Sequence, residues 1–180
     1  IAPEPYWRDV EDLAVYDVTL GERISWKWDA VLRELNLRGW QPPAGCELWD
    51  WGCGSGVAGR RVLAAWPGTF TGVCVTDHSV VATQYALRRL HAAWPELPSR
   101  GEAPAAQAPY VLCVSHVWNE LSPSGREDLK RAASGAQAVI WVEPGVHSVA
   151  RALQEVRGFL LESGGQRVVA PCTHQQRCGL

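Results

Sequence analysis

The sequence predicts an α/β fold, a three-layer sandwich whose central sheet is mostly parallel and Rossmann-like. Three observations carry this expectation. Short apolar segments alternate with longer segments of helical periodicity along the 180 residues. Most of the apolar segments are continuous, as strands covered on both faces are. A glycine-rich turn joins the first of them to a helix in LWDWGCGSGVAGRR, residues 48–61. The length suits one domain with a sizeable core. We expect an N-terminal helical segment over 1–40, the core over 41–171 and a cysteine-containing tail over 172–180.

Taken in order, residues 1–17 carry no clear pattern. Over 22–37, Ile24, Trp28, Val31, Leu32 and Leu35 recur at helical spacing, and Gly39 suits a stop. A Pro-rich turn at 41–45 leads into a short buried strand at 46–51. Segment 57–66 reads as a helix ended by Pro67-Gly68, and 70–76, rich in β-branched residues, as a strand. Ser79 is a good N-cap for a helix running to about residue 94. Segment 95–109 is rich in Pro and Ala and shows no third strand. An apolar strand follows at 110–115, and Ser122-Pro123 opens a helix to residue 133. A strand at 138–142 is broken by Glu143-Pro144-Gly145. A helix over 148–162 is followed by Gly164-Gly165, and 166–170 reads as a last strand. The antiparallel strand that normally completes such a sheet is not found.

Hydrophobic content of 47% and charged content of 20% are ordinary for a globular protein. The net charge of −2 provides no global basic field, so any RNA contact must use a local patch or another part of the protein. No run approaches the ~18 apolar residues of a membrane span. The chain begins with Ile and holds no Met, so we expect a trimmed chain whose targeting segment, if any, lies outside it. Six cysteines do not make a dense disulfide scaffold. Cys46, Cys74 and Cys113 read as reduced core thiols. Most of the ten tryptophans read as packing anchors, although Trp49 and Trp51 flank the glycine loop.

Two readings of that loop compete. Gly54, Gly56 and Gly59 fit the dinucleotide fingerprint G-x-G-x-x-G, with Asp77 18 positions further on. The register speaks against it. The strand ends at Asp50 and the pattern is D-x-G-x-G-x-G, so a carboxylate at the strand tip faces the ligand. It would repel a pyrophosphate, whose seat is the helix N-terminus. It suits a ligand bearing an ammonium group and a sulfonium cation, and S-adenosylmethionine (SAM) is such a ligand.

LWDWGCGSG resembles the first motif of the class I SAM-dependent methyltransferases, and TGVCVTDHS their second. Gly52, Gly54 and Gly56 let the backbone turn and approach the ligand. Asp50 is placed to hold the amino end, and Asp77 to accept the ribose hydroxyls. Cys53, His78 and Ser115 complete the expected cofactor contacts. An adenine-contacting residue after the third strand is not placed; Glu102 is a guess. The [DNS]-P-P-[YFW] motif of amino-group methyltransferases is absent. So is the carboxylate cluster of metal-dependent O-methyltransferases.

YDVTLGERISWKWDAVL, LWDWGCGSG, SHVWNEL, VIWVEPG and APCTHQQRC together resemble the methyltransferase-like family of mitochondrial small-ribosomal-subunit assembly factors and their bacterial relatives. The resemblance runs from about Tyr16 to Leu180. It implies the SAM methyltransferase sheet and, as partners, the small ribosomal subunit and its rRNA. It also implies a bacterial cytoplasmic or a mitochondrial-matrix location. Some members bind an iron–sulfur cluster through cysteines, two of which match Cys172 and Cys178. By the residues alone, thiolates favour zinc or a 4Fe–4S cluster, and a closed site takes four ligands. This segment offers Cys172, Cys178 and His174, so either such a site is completed in the full-length protein or this member has lost it. Two free surface thiols, or a disulfide, are the plainer reading. Pro171-Cys172 also matches the Pro-Cys of cytosine-C5 methyltransferases, though after a later strand.

Methyl transfer from SAM is an in-line displacement that needs alignment and exclusion of water, with a base only where the acceptor must lose a proton. His116 and Glu120 are the candidates for that base, against ordinary roles in a loop and a helix cap. Trp118 reads as a core residue or as a platform for a base. Arg60, Arg61, Arg88 and Arg89 read as solvated helix faces or as phosphate contacts. The functions in play are an rRNA methyltransferase, a SAM-binding assembly factor without catalysis and a small-molecule methyltransferase; a dehydrogenase is more distant.

Overall fold

In the computed structural model, which describes residues 7–163 and 165–178, five parallel strands form one sheet. They are β1 (Glu47–Trp51), β2 (Val73–Thr76), β3 (Ser99–Arg100), β4 (Tyr110–Ser115) and β5 (Ala138–Val142). Their order is β3-β2-β1-β4-β5. The chain winds outward from β1 to β3, then returns to β4 on the other side of β1. In register, Asp50 stands between Val75 of β2 and Cys113 of β4.

Six helices cover the sheet: α1 (Val10–Val18), α2 (Leu20–Leu37), α3 (Val57–Ala65), α4 (Val80–Ala93), α5 (Pro123–Gly135) and α6 (His147–Glu162). The sheet's period of two sorts its side chains between two cores. Leu48, Val73, Val75, Val111, Cys113, Ile140 and Val142 meet Ile24, Trp28, Leu32 and Leu35 of α2 and Val62 and Leu63 of α3. On the opposite face Leu112 and Val114, with Trp49 and Trp141, meet Leu129 of α5 and Val149 and Val156 of α6. Ser79 caps α4 by accepting the Ala82 N–H, and Ser122 caps α5 by accepting the Gly125 N–H.

Two expectations need correction, and one segment without a clear pattern resolves. Residues 10–18 form a helix, within the expected N-terminal helical segment. Asp9 caps it, but only Leu13 and Asp17 are buried, a stripe too narrow to show as periodicity. A third strand exists as the two residues of β3. Its Arg100 reaches across β2 to grip both oxygens of Glu47 on β1, at 2.6 and 2.7 Å, a side-chain clamp that strand composition does not reveal. Residues 166–170 are not a strand. The Gln175 side chain donates to the Val168 carbonyl and accepts from its N–H, occupying the groups a neighbouring strand would use. Arg38 binds the carbonyls of Val169 and Pro171, and Gln166 that of Ala136. Ala136 lies two residues ahead of β5, so this segment starts its course at the amino-terminal edge of the sheet. Gly164, part of the expected helix stop, and residues 1–6 and 179–180 lie outside the described residues. Among the described residues no helix is long and apolar enough to cross a membrane.

Candidate functional site

The strand order reverses between β1 and β4, and the glycine loop spans the carboxyl ends of the strands there, where open α/β sheets bind ligands. Gly52, Gly54 and Gly56 take φ values of 68°, 50° and 76°. A Cβ on Gly52 would stand 2.5 Å from Val117 Cγ1, so the turn needs glycine for its dihedral angle and for its neighbour. Gly54 is different. Nothing lies within 4 Å of where its Cβ would be, so there is room beside the crest of the loop.

The loop is tied to β2. The N–H groups of Gly52 and Cys53 both donate to the Thr76 carbonyl, at 2.7 and 3.0 Å. Gly54 donates to Asp77 Oδ2 at 2.9 Å, while Asp77 Oδ1 accepts from the Ser79 N–H at 2.9 Å and faces His78 Nδ1 at 3.2 Å. His78 itself is exposed. Cys53 turns its thiol into the core, and burial, followed by the Asp50 and Asp77 charges, pushes that thiol well above its usual value.

Asp50 lies under the loop, 1% exposed. Its Oδ2 accepts the Gly59 N–H at 2.9 Å, and its Oδ1 is buried without a partner among the described residues. Burial raises its pKa to about 7, against the Gly59 N–H and the Arg60 charge. Ser55 Oγ is also buried without a partner among the described residues. Orphaned polar atoms of this kind mark places where a ligand or water completes the bonding.

The loop after β4 supplies the other wall. Glu143, at the tip of β5, accepts from Trp141 Nε1 at 2.8 Å and from the N–H groups of Trp118 and Val117 at 3.2 and 3.3 Å. Its Oε2 is buried without a partner among the described residues, and burial raises the pKa of Glu143. Trp118 belongs to the core, packed against Trp141 with the Arg126 guanidinium over its ring. Glu120 is exposed, yet partial desolvation and then the Asp77 and Glu143 carboxylates raise its pKa, with His78 opposing.

His116 adopts φ 57°, a left-handed conformation that costs a non-glycine residue about 1 kcal/mol or more. Its Nε2 lies 2.9 Å from Lys27 Nζ and its Nδ1 3.2 Å from Ser115 Oγ. An ammonium only donates, so Nε2 accepts and the ring proton is assigned to Nδ1, which donates to Ser115. Trp28 Nε1 donates to the same Oγ at 3.0 Å. Burial, and then the Lys27 charge, lower the His116 pKa to about 4, so the ring is neutral at pH 7. Lys27, and the bond from Trp28 to Ser115, escaped the sequence reading. Amphipathic spacing shows that Trp28 is buried, but no local signal pairs α2 with a histidine 89 residues away.

The carboxyl edge therefore unites Asp50, Gly52, Cys53, Gly54, Gly56, Asp77, His78, Ser115, His116 and Glu120. Asp50, Asp77, Glu120 and Glu143 give the ligand cleft at this edge an acidic lining, which suits a cationic ligand. Glu102 is exposed just past β3. Arg60 is not on a solvated face. Asp17, its side chain 4% exposed, binds Arg60 at 2.6 Å and Arg89 at 3.5 Å and accepts from the Tyr85 hydroxyl at 3.3 Å. Arg61 donates to Ser25 Oγ.

Cys172 and Cys178 are partly exposed free thiols in the tail that starts from the opposite edge of the sheet, held by Arg157 through the His174 and Gln176 carbonyls. Among the described residues no three His, Cys, Asp or Glu side chains gather as a metal site. The tail position also separates Cys172 from the glycine loop, which removes the C5-methyltransferase parallel.

The family model described as mitochondrial small ribosomal subunit Rsm22 matches residues 38–180. Among solved structures, a SAM-dependent methyltransferase from Aquifex aeolicus is similar with TM-score 0.57 and 19% identity, over 91% of this chain and 92% of that one. A candidate RNA methyltransferase from Pyrococcus horikoshii is similar with TM-score 0.55 and 13% identity, over 74% and 67%. Magnesium protoporphyrin IX methyltransferase from Synechocystis, solved with bound SAM, is similar with TM-score 0.53 and 14% identity, over 87% and 74%. The shared fold is that of the SAM methyltransferases. No curated protein matches the chain in sequence.

Proposed function

The chain belongs to the family described as mitochondrial small ribosomal subunit Rsm22, and from that premise we propose that it is a SAM-dependent methyltransferase acting on small-subunit ribosomal RNA. The observation that carries this reading is the state of Asp50 beneath the glycine loop. A buried carboxylate with one oxygen unpartnered is costly unless a cationic donor completes it, and the amino group of SAM is such a donor. Bound SAM supplies an electrophilic methyl carbon on a sulfonium. The residues of this chain do the rest. Asp50 receives the amino end, directly or through water. Asp77 keeps lone pairs free for ribose hydroxyls beside its bond to Gly54. The crest at Gly54 admits the ligand's backbone-side approach, and Glu143 holds the β4 loop as the opposite wall.

The family description supports an RNA acceptor and the small subunit as partner, and we place the chain in a bacterial cytoplasm or a mitochondrial matrix on the same reading. A second reading, a SAM-binding assembly factor without catalysis, is favoured by one observation: the Nε2 lone pair of His116 is already taken by Lys27. Calorimetry of SAM with the wild type and Asp77→Ala, followed by transfer of labelled methyl groups to small-subunit RNA, separates the two. Binding lost in the variant together with RNA labelling supports the enzyme. Binding without labelling supports the assembly factor. A folded wild type that binds no SAM overturns both.

A further inference from the structure

Lys27 lies ahead of the residues that match the family model, on a helix that descends from the carboxyl edge of the sheet toward the amino edge. Trp28, fully buried and bonded to Ser115, fixes the rotation of that helix. Lys27 is thereby presented to His116, at 2.9 Å, on an exposed part of α2. The histidine is held in a left-handed conformation, a strain that the Ser115 and Val142 contacts on either side maintain. An exposed ammonium that could be fully hydrated is instead spent on a neutral imidazole.

Resting on the reading above, we propose that Lys27 is a positioning residue of the acceptor side: it caps the Nε2 lone pair of His116 until a phosphate of single-stranded RNA draws the ammonium away. An ammonium bonds a phosphate oxygen more strongly than a neutral ring nitrogen, because both partners of the new bond are charged. Displacement leaves Nε2 free, with Nδ1–H still fixed by Ser115. Nε2 then takes the proton that the acceptor atom loses as that atom bonds the methyl carbon. The electron pair of the broken carbon–sulfur bond remains on sulfur, and the imidazolium later returns its proton to water. The free protein therefore keeps its base masked, and RNA both delivers the acceptor and unmasks the base.

The charged group against His116 is Lys27 from α2; Glu120 from the turn Trp118–Glu120, Glu143 beyond β5 and Asp77 with His78 beyond β2 bear on one another. Apart from burial, Lys27 is the group that bears on its titration. Burial is the larger cause of the depression and remains when Lys27 is removed, so loss of the like charge raises the pKa by about one pH unit.

The test is an NMR titration of the His116 ring in the wild type, Lys27→Met and Lys27→Arg, with oligouridylate of about eight nucleotides as the RNA probe. The ring should titrate near pH 4 in the wild type, equally low in Lys27→Arg, and higher by about one unit in Lys27→Met. Oligouridylate should raise the wild-type value and move the Nε2 resonance, with a smaller effect in Lys27→Met. Coincident titrations of wild type and Lys27→Met would overturn the proposal, as would an Nε2 resonance that oligouridylate leaves unmoved. SAM calorimetry on the same samples keeps the two readings apart. Lys27→Met should bind SAM like the wild type, and a wild type that binds none refutes the cofactor, not the Lys27–His116 pair.

Discussion

A single carboxyl group sets the residue scale. Asp50, with a pKa of about 7, holds its proton at pH values where the unfolded chain has lost it, so it contributes stability at low pH that fades as pH rises from about 4 to about 7. His116 acts oppositely: its depressed value contributes stability above pH 6.5 that is lost as pH falls toward 4. Asp50→Asn should therefore gain in relative stability between pH 5 and pH 8, as read by denaturant unfolding at both. The same variant should bind SAM roughly 10- to 100-fold more weakly, the worth of a hydrogen bond to a charged group, as read by calorimetry. Gly52→Ala meets both a left-handed backbone and Val117. It should cost at least about 2 kcal/mol, a fall of roughly 4–8 °C in the unfolding midpoint.

At the scale of elements, α1 depends on a buried ion pair. Asp17→Ala leaves Arg60 and Arg89 without their carboxylate and should cost about 3 kcal/mol, with amide exchange in α1 and the N-terminal part of α4 accelerating first. The tail depends on side chains in the same way. Arg38→Ala combined with Gln175→Ala should speed alkylation of Cys172 and Cys178 while leaving SAM affinity unchanged. These elements also mark where sequence reading succeeds and fails. Strands β4 and β5 were legible to the residue, because continuous apolar runs between turn residues have one interpretation in a covered parallel sheet. The glycine loop was legible because a positive φ and a close neighbour admit few residue types. Helix α1, strand β3 and the 166–170 segment were not. Each is fixed by a distant partner, Arg60, Glu47 and Arg38 respectively, and a pairing across dozens of residues leaves no periodic trace. Lys27 belongs to the same class.

For the whole molecule, the prediction is linkage. On the proposed reading, SAM would be held by groups from β1, β2 and the β4 loop, which the unfolded chain cannot assemble. At a hundredfold excess over its dissociation constant SAM should stabilise the fold by about 2.7 kcal/mol, visible as a concentration-dependent rise in the melting temperature. Asp77→Ala should flatten that rise.

The strands place the glycine loop at one end and the start of the cysteine tail at the other. Strands of five or six residues, at about 3.3 Å each, keep the two ends roughly 15–20 Å apart. Substitutions separated by more than about 10 Å act additively. Selection can therefore adjust each end without disturbing the other. A descendant can abandon its ligand loop and keep its tail, or rebuild the tail and keep the loop, and either lineage retains the same fold.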